Sequence, residues 1–216
     1  MNQKSVVVGR WILWPVVITL VVALIRLVGE LMGWSSFYFS RAGGGGAAPV
    51  GIVWLVPIFG VYFAWKLRSA GHGGNAGRTL GMAALGLLTM IVGAVVLYLV
   101  ASSNEVLSEL IFPVVAILAI IVAGRGGSAL FSLLLAYGLA VRVFMVIIYF
   151  LAFAMHWDSH YTAVSPGFPI TSWFGRWVVL GVLPQLTFWV AFTVVFGSLF
   201  GGLILLVRRP RPAPPA

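Results

Sequence analysis

Six stretches of the chain are apolar over lengths that can cross a lipid bilayer, and this feature constrains the fold more than any other. A bilayer core requires about 20 mainly apolar residues per helix, and the helix hydrogen-bonds its own backbone inside the lipid. The predicted spans are 11–32, 48–66, 80–101, 106–123, 128–155 and 176–207. The pattern therefore predicts an all-α, polytopic integral membrane protein, with residues 1–207 in a single transmembrane bundle.

The composition excludes a water-soluble domain. Only 8% of the residues are charged and 62% are hydrophobic, whereas a soluble domain carries about 25% charged residues. So few charges cannot cover a surface exposed to water. The chain contains no cysteine, which excludes disulfides, thiolate metal sites and cysteine nucleophiles.

Glycine and proline mark the connections between the predicted spans. Glycine-rich runs occupy 43–46, 71–74 and 124–127, where they favour turns over helix. The last segment, 208–216, is basic and rich in proline. Because proline donates no backbone hydrogen bond and breaks helices, this tail is predicted to be disordered and cytoplasmic.

The basic residues predict the orientation of the six spans. Nine of the 13 lysine and arginine residues fall on one side of the predicted bundle, and two fall on the other. Cytoplasmic loops carry the excess of positive charge, so both termini are predicted to be cytoplasmic, most simply in a bacterial cytoplasmic (inner) membrane. The charges are dispersed over short loops, so the bilayer is the expected partner and nucleic acid is not. The basic side comprises Lys4, Arg10, Lys66, Arg68, Arg78, Arg125, Arg208, Arg209 and Arg211.

The acidic residues gather at the opposite, outer side. This topology places all four carboxylates and two of the three histidines there. A local functional site, if the chain has one, is therefore expected on the non-cytoplasmic side. These outer residues are Glu30, Glu105, Glu109, Asp158, His156 and His160.

Two arginines lie inside predicted spans, where an unpaired charge is costly. Arg26 and Glu30 are four residues apart, so they share a helix face and can pair. Arg142 lies near the middle of its span and needs a carboxylate, a carbonyl or water, with Glu30 or Glu109 as the candidate carboxylates. Gln185 is another polar group at membrane depth. The pattern fits a buried ion pair, an anion or headgroup pocket, or a proton pathway.

The outer loop carries a second candidate site. His156, Asp158 and His160 alternate along the chain, so their side chains can converge in either an extended or a helical backbone. Two imidazoles and a carboxylate suit a divalent metal ion, and Glu30 could complete the set. The aromatic residues between them also fit an interfacial belt, in which case the histidines are interfacial only.

Three functions remain open at this stage. The first is an outward-facing polar site that binds a small ligand, a lipid headgroup or a metal ion. The second is a non-catalytic structural or assembly subunit of a larger membrane complex, or self-association through glycine-rich helix faces. The third is a membrane-embedded, metal-dependent enzyme. The sequence contains neither a Gly-x-Ser-x-Gly elbow nor a His-Glu-x-x-His helix, so no reaction can be named.

Overall fold

The computed structural model describes residues 8–43, 48–101 and 104–207, except for the side chains of Ala101, Glu105 and Glu109. These residues form helices and connecting turns without a β-strand. The predicted disordered tail, 208–216, lies outside the described residues. The helices are α1 (Val8–Leu31), α2 (Leu55–Ser69), α3 (Ala76–Ala101), α4 (Glu105–Gly124), α5 (Ala129–Ala154) and α6 (Trp173–Val207).

Five of these helices are long and apolar enough to cross a membrane, and α2 is the exception. It has 15 residues, or about 22 Å at the α-helical rise. The predicted second span, 48–66, is helical only from Leu55 onwards. Pro57 lies in the first turn of α2, where its missing N–H costs no hydrogen bond. The preceding residues, 48–54, form turns and bends around the buried Gly51.

Three helices end in the same hydrogen-bonded motif, which fixes where the loops after them begin. The residue after the cap is left-handed, with φ of 67° at Gly33, 81° at Gly71 and 54° at His156. The next backbone N–H donates back to the carbonyl five residues earlier, at 2.8, 2.8 and 2.9 Å. This is the Schellman arrangement, in which glycine is the usual left-handed residue. His156 takes that position at the end of α5.

The start of α1 and the ends of α2 and α6 lie together at one end of the bundle. The Lys66 ammonium sits 5.1 Å from the centre of the Trp11 ring. Next to it, the Arg68 guanidinium donates to the Leu205 carbonyl at 3.2 Å. The start of the first described helix and the end of the last one therefore lie at the same end of the bundle.

The last helix forms the centre of the bundle. Its most apolar window is 56% buried, against 22% for α3 and 18% for α4. Gly60 of α2 packs so closely on Gly197 and Gly201 of α6 that a β-carbon would collide with backbone atoms. The Gly197-x-x-x-Gly201 spacing of α6 thus serves packing within the chain.

The outer half of α6 is irregular. Residues Trp177–Val182 form a π-helix, and Pro184 and a break at Thr187 follow it. Such π segments widen the helix locally and often mark functional sites. This irregular stretch forms one side of the cavity described next.

Candidate functional site

A cavity of about 320 Å³ is lined in part by Ile52 and Val53, which come just before α2. This volume falls within the range of small-molecule sites, about 300–1,000 Å³. It extends from the loop after α5, where His160 and Tyr161 line it, to Arg142, which lies 12 residues before the end of α5, or about 18 Å along the helix. The lining residues are Ala23, Arg26, Ile52, Val53, Phe112, Arg142, Met145, Tyr149, His160, Tyr161, Ala163, Leu180, Pro184, Phe188 and Trp189.

Arg142 is the deepest charge in the cavity. Its side chain is 3% exposed, and its guanidinium lies 5.1 Å from the centre of the Trp189 ring. One of its nitrogens donates to the Gln185 Oε1 at 3.1 Å, while its buried Nε has no hydrogen-bond partner among the described residues. No described carboxylate lies within ion-pair distance of it. A guanidinium offers five N–H donors, and one hydrogen bond from Arg142 reaches a described residue.

Glu30 organises the upper part of the cavity. Its side chain is completely buried. It forms the expected i,i+4 ion pair with Arg26, whose Nε lies 2.8 Å from Oε1. It also accepts hydrogen bonds from the His160 backbone N–H at 3.0 Å and from the His160 ring at 2.6 Å. The negative charge of Glu30 is therefore used within the protein, and it does not neutralise Arg142.

His160 is a neutral imidazole at the cavity wall. Burial lowers its pKa below the ordinary 6.5 and outweighs the opposing effect of Glu30. Because Nδ1 faces a carboxylate that can only accept, Nδ1 carries the hydrogen in the neutral ring. Tyr161 stacks against the ring with centroids 3.8 Å apart, and burial raises the pKa of its hydroxyl, which stays protonated. Among the described groups, the charges of Arg26 and Glu30 cancel and His160 is neutral, so the remaining positive charge of the wall is that of Arg142.

Arg41 connects two loops at the cavity end of the bundle. Arg41 donates to the carbonyl of Glu30 at the end of α1, with its Nε at 2.8 Å. Its Nη1 lies 2.5 Å from the Asp158 carboxylate. Positive groups are favourable at helix C-termini, so Arg41 both caps α1 and ties the first outer loop to the last one.

The predicted metal ligands do not come together as a set. Among the residues that the structure describes, no three histidine, aspartate or glutamate side chains could hold a metal ion. Asp158 is engaged by Arg41, and His156 is exposed at the end of α5. His160 and Glu30 do meet, but at 2.6–2.7 Å they are direct hydrogen-bond partners. An ion between them at about 2.0–2.2 Å from each ligand atom would force these atoms further apart.

The other predicted partner of Arg142 is Glu109. Glu109 belongs to α4, but its side chain lies outside the described residues, as does that of Glu105. By helical spacing Glu109 comes one turn before Phe112, which lines the cavity. An ion pair between Glu109 and Arg142 thus stays a prediction.

The aromatic part of the cavity is what sequence reasoning missed. Tyr149 and Trp189 line the cavity beside Arg142, and Tyr149 packs edge to face on Tyr161 at 4.9 Å. Helical spacing in the sequence indicates two of these aromatic residues, Tyr149 and Trp189. Tyr149 follows Arg142 by seven residues and Trp189 follows Gln185 by four, so each shares a face with a polar residue already noted.

No family model, curated protein or solved structure matches the chain. Any assignment of function therefore rests on the fold and the cavity. The five long apolar helices are those of a membrane-embedded protein. Within that class, the distinguishing feature of this chain is a cavity with a buried arginine at its base.

Proposed function

We propose that this protein is a six-span integral membrane protein whose cavity faces the non-cytoplasmic side and binds a small anionic ligand. The observation that carries the proposal is Arg142, a charge that is 3% exposed and makes a single hydrogen bond to a described residue. Charged side chains at membrane depth are costly and usually serve a pathway or a ligand. Arginine suits carboxylate and phosphate groups because its planar fork can bind two oxygens at once.

The proposed orientation is supported by the distribution of charge and the contacts at the two ends. The end where Trp11, Lys66 and Leu205 meet is the end with the basic loops, which favours the cytoplasm. The cavity lies at the other end. A total of six spans requires that α2, together with the turns before it, crosses the membrane once. Non-helical backbone is tolerated at membrane depth where it is buried in protein or lines a cavity, as Ile52 and Val53 do.

Single cysteines test the orientation cleanly because the chain has none of its own. A membrane-impermeant maleimide added to intact cells should label Ser35→Cys and Ser172→Cys, both exposed at the cavity end. It should label Ser69→Cys, exposed at the end of α2, only after the membrane is opened. Labelling of Ser69→Cys alone in intact cells would reverse the proposed orientation.

Phosphorus NMR of inorganic phosphate, with the protein in nanodiscs, tests the anion site. We expect saturable line broadening that Arg142→Gln removes, since hydrogen bonds to a charged group contribute about 1.5–3 kcal/mol, or about tenfold or more in affinity. Arg142→Lys keeps the charge without the fork and should weaken binding less. Arg125→Gln removes an exposed charge far from the cavity and should bind like the unmodified protein.

Two outcomes would overturn the anion site. Phosphate binding by Arg142→Gln that matches the unmodified protein, with an unchanged melting temperature, would show that Arg142 does not contact the ligand. Phosphate binding that is absent from the unmodified protein but present in Glu109→Gln would assign Arg142 to an ion pair that locks α4 to α5.

A further inference from the structure

The cavity has two chemically different walls. Polar groups from α1, α5 and the last outer loop form one wall, with Arg26, Arg142 and His160 as its members that carry or can carry charge. A second wall belongs to α6 and is mainly apolar, formed by Leu180, Pro184 and Phe188. A ligand that fills the cavity therefore meets an arginine on one side and hydrocarbon on the other.

The apolar wall is long for a site that holds only a small ion. Leu180, Pro184 and Phe188 recur every four residues and all three line the cavity, so this apolar surface follows the irregular stretch of α6 through about two turns. Phe112 of α4 extends this face, with its ring centroid 5.1 Å from that of Phe188. All four side chains are partly exposed rather than packed away. A hydrated inorganic anion would leave this surface in contact with water, which is unfavourable for apolar groups.

The walls also differ in how they are supported. Arg142 is held by Gln185 and Trp189, while Arg26 is held by Glu30. The polar groups are thus fixed before a ligand arrives, which lowers the entropic cost of binding. The apolar wall belongs to the π-helical and proline-interrupted stretch of α6, where the irregular backbone opens the space between α5 and α6.

We infer that the ligand is an amphipathic anion, with an acidic headgroup at Arg142 and a single apolar chain along the Leu180–Pro184–Phe188 face of α6. This inference rests on the proposed anion site and adds the chemical class of its occupant. The headgroup chemistry is shared by lipid phosphates and by free phosphate. The chain is what distinguishes the two sources, because only an amphipathic ligand covers the apolar wall.

A chain-length series measures the contribution of the apolar wall. Ethyl, butyl, hexyl and octyl phosphate, together with inorganic phosphate, are titrated calorimetrically into the protein in nanodiscs, and the heat from empty nanodiscs is subtracted. Affinity should rise about fourfold for each added methylene and level off once the chain outgrows the wall. Arg142→Gln should lower the affinity for every member by the same factor.

Two substitutions on α6 form a matched pair for this series. Leu180→Asn places a polar group in the apolar wall and should reduce the gain for each methylene without changing the affinity for inorganic phosphate. Leu186→Asn alters a leucine on the same helix that is 38% exposed and does not line the cavity. It should leave the series unchanged. Butanol, hexanol and octanol lack the anionic group, so each should bind about tenfold or more weakly than the phosphate of the same chain length.

The possible results separate this inference from the function on which it rests. If inorganic and octyl phosphate bind equally, and both depend on Arg142, the anion site stands and the amphipathic ligand is refuted. If the alkanols bind as well as the phosphates do, the headgroup is irrelevant and the inference fails. If no phosphate binds saturably, both the anion site and the inference fail.

Discussion

Removing the Glu30 carboxylate should strongly destabilise the protein, because this group is the buried junction of α1 and the last outer loop. Its side chain has no exposure and lies 2.8 Å from Arg26 Nε. It also receives the ring and backbone N–H groups of His160, at 2.6 and 3.0 Å. Glu30→Ala deletes all three interactions and leaves the charge of Arg26 buried, at 5% exposure, without that carboxylate.

The expected magnitude follows from these contacts. Hydrogen bonds to charged groups are worth about 1.5–3 kcal/mol each but are not additive within one network. Breaking a buried ion pair by removing one partner costs about 3–5 kcal/mol. We therefore expect Glu30→Ala to lower the free energy of unfolding by about 4 kcal/mol. Glu30→Gln keeps one acceptor oxygen and the side-chain volume, while it loses the charge and replaces the other oxygen with an NH2 donor, so its cost should be smaller than that of alanine, at about 2 kcal/mol.

The assay is equilibrium unfolding in mixed micelles at increasing mole fractions of sodium dodecyl sulfate, followed by tryptophan fluorescence. Asp158→Asn is the matched control, because Asp158 also pairs with an arginine but its side chain is 83% exposed. An exposed pair contributes about 0–1 kcal/mol. Equal losses for Glu30→Ala and Asp158→Asn would refute the reasoning, since they would mean that water reaches Glu30.

A double-mutant cycle then isolates the ion pair. Arg26→Gln combined with Glu30→Gln removes both charges, so the loss for the double variant should be smaller than the sum of the two single losses. Groups in direct contact couple by about 0.5–3 kcal/mol. Strict additivity of the two substitutions would show that the Arg26–Glu30 contact contributes nothing to stability.

Three further predictions concern the helix ends, the packing and the pH response. His156→Gly should leave phosphate binding intact and should not lower stability, because a left-handed backbone costs a non-glycine residue about 1–3 kcal/mol. Loss of phosphate binding in this variant would show that His156 belongs to the binding site. Gly60→Ala should destabilise by about 1–3 kcal/mol through collision with the α6 backbone, whereas Gly81→Ala, with open space around its Cα, should not lower the melting temperature. Stability should fall as the pH drops below 6.5, the ordinary pKa of histidine, because burial lowers the pKa of His160 and the unfolded chain then binds more protons. His160→Gln should flatten this slope between about pH 7 and pH 5, and an unchanged slope would contradict the assignment.

The sequence by itself was sufficient for the fold class and for the location of the polar residues. Long apolar runs leave helices as the chain's available structure in lipid, because backbone groups must be hydrogen-bonded internally. The Arg26–Glu30 pair followed from the i,i+4 spacing, and the structure contains it at 2.8 Å. The burial of Arg142 also followed, because a charge in mid-span cannot reach water easily.

The start of α2 could not be predicted from composition. Residues 48–54 are as apolar as a span requires, yet they form turns, because hydropathy measures the preference for lipid and is insensitive to how the backbone is folded. Two of these residues, Ile52 and Val53, line the cavity. The position of α2 itself is set by tertiary packing against α6, where Gly60 meets Gly197.

Tertiary structure alone decided which polar groups share a partner. The sequence predicted three candidate partners for Glu30, namely Arg26, Arg142 and a metal ion. Residue spacing could not decide among them, because it carries no information about contacts between separate helices. The fold brings His160 to Glu30 and Gln185 to Arg142. The Glu30 carboxylate accepts from Arg26 on its own helix and from the ring and backbone N–H groups of His160 in the loop after α5, and this meeting of two segments depends on a loop path that carries no periodic signal. The acidic residues were visible in the sequence, but the single hydrogen bond that Arg142 makes to Gln185 was visible only in the folded chain.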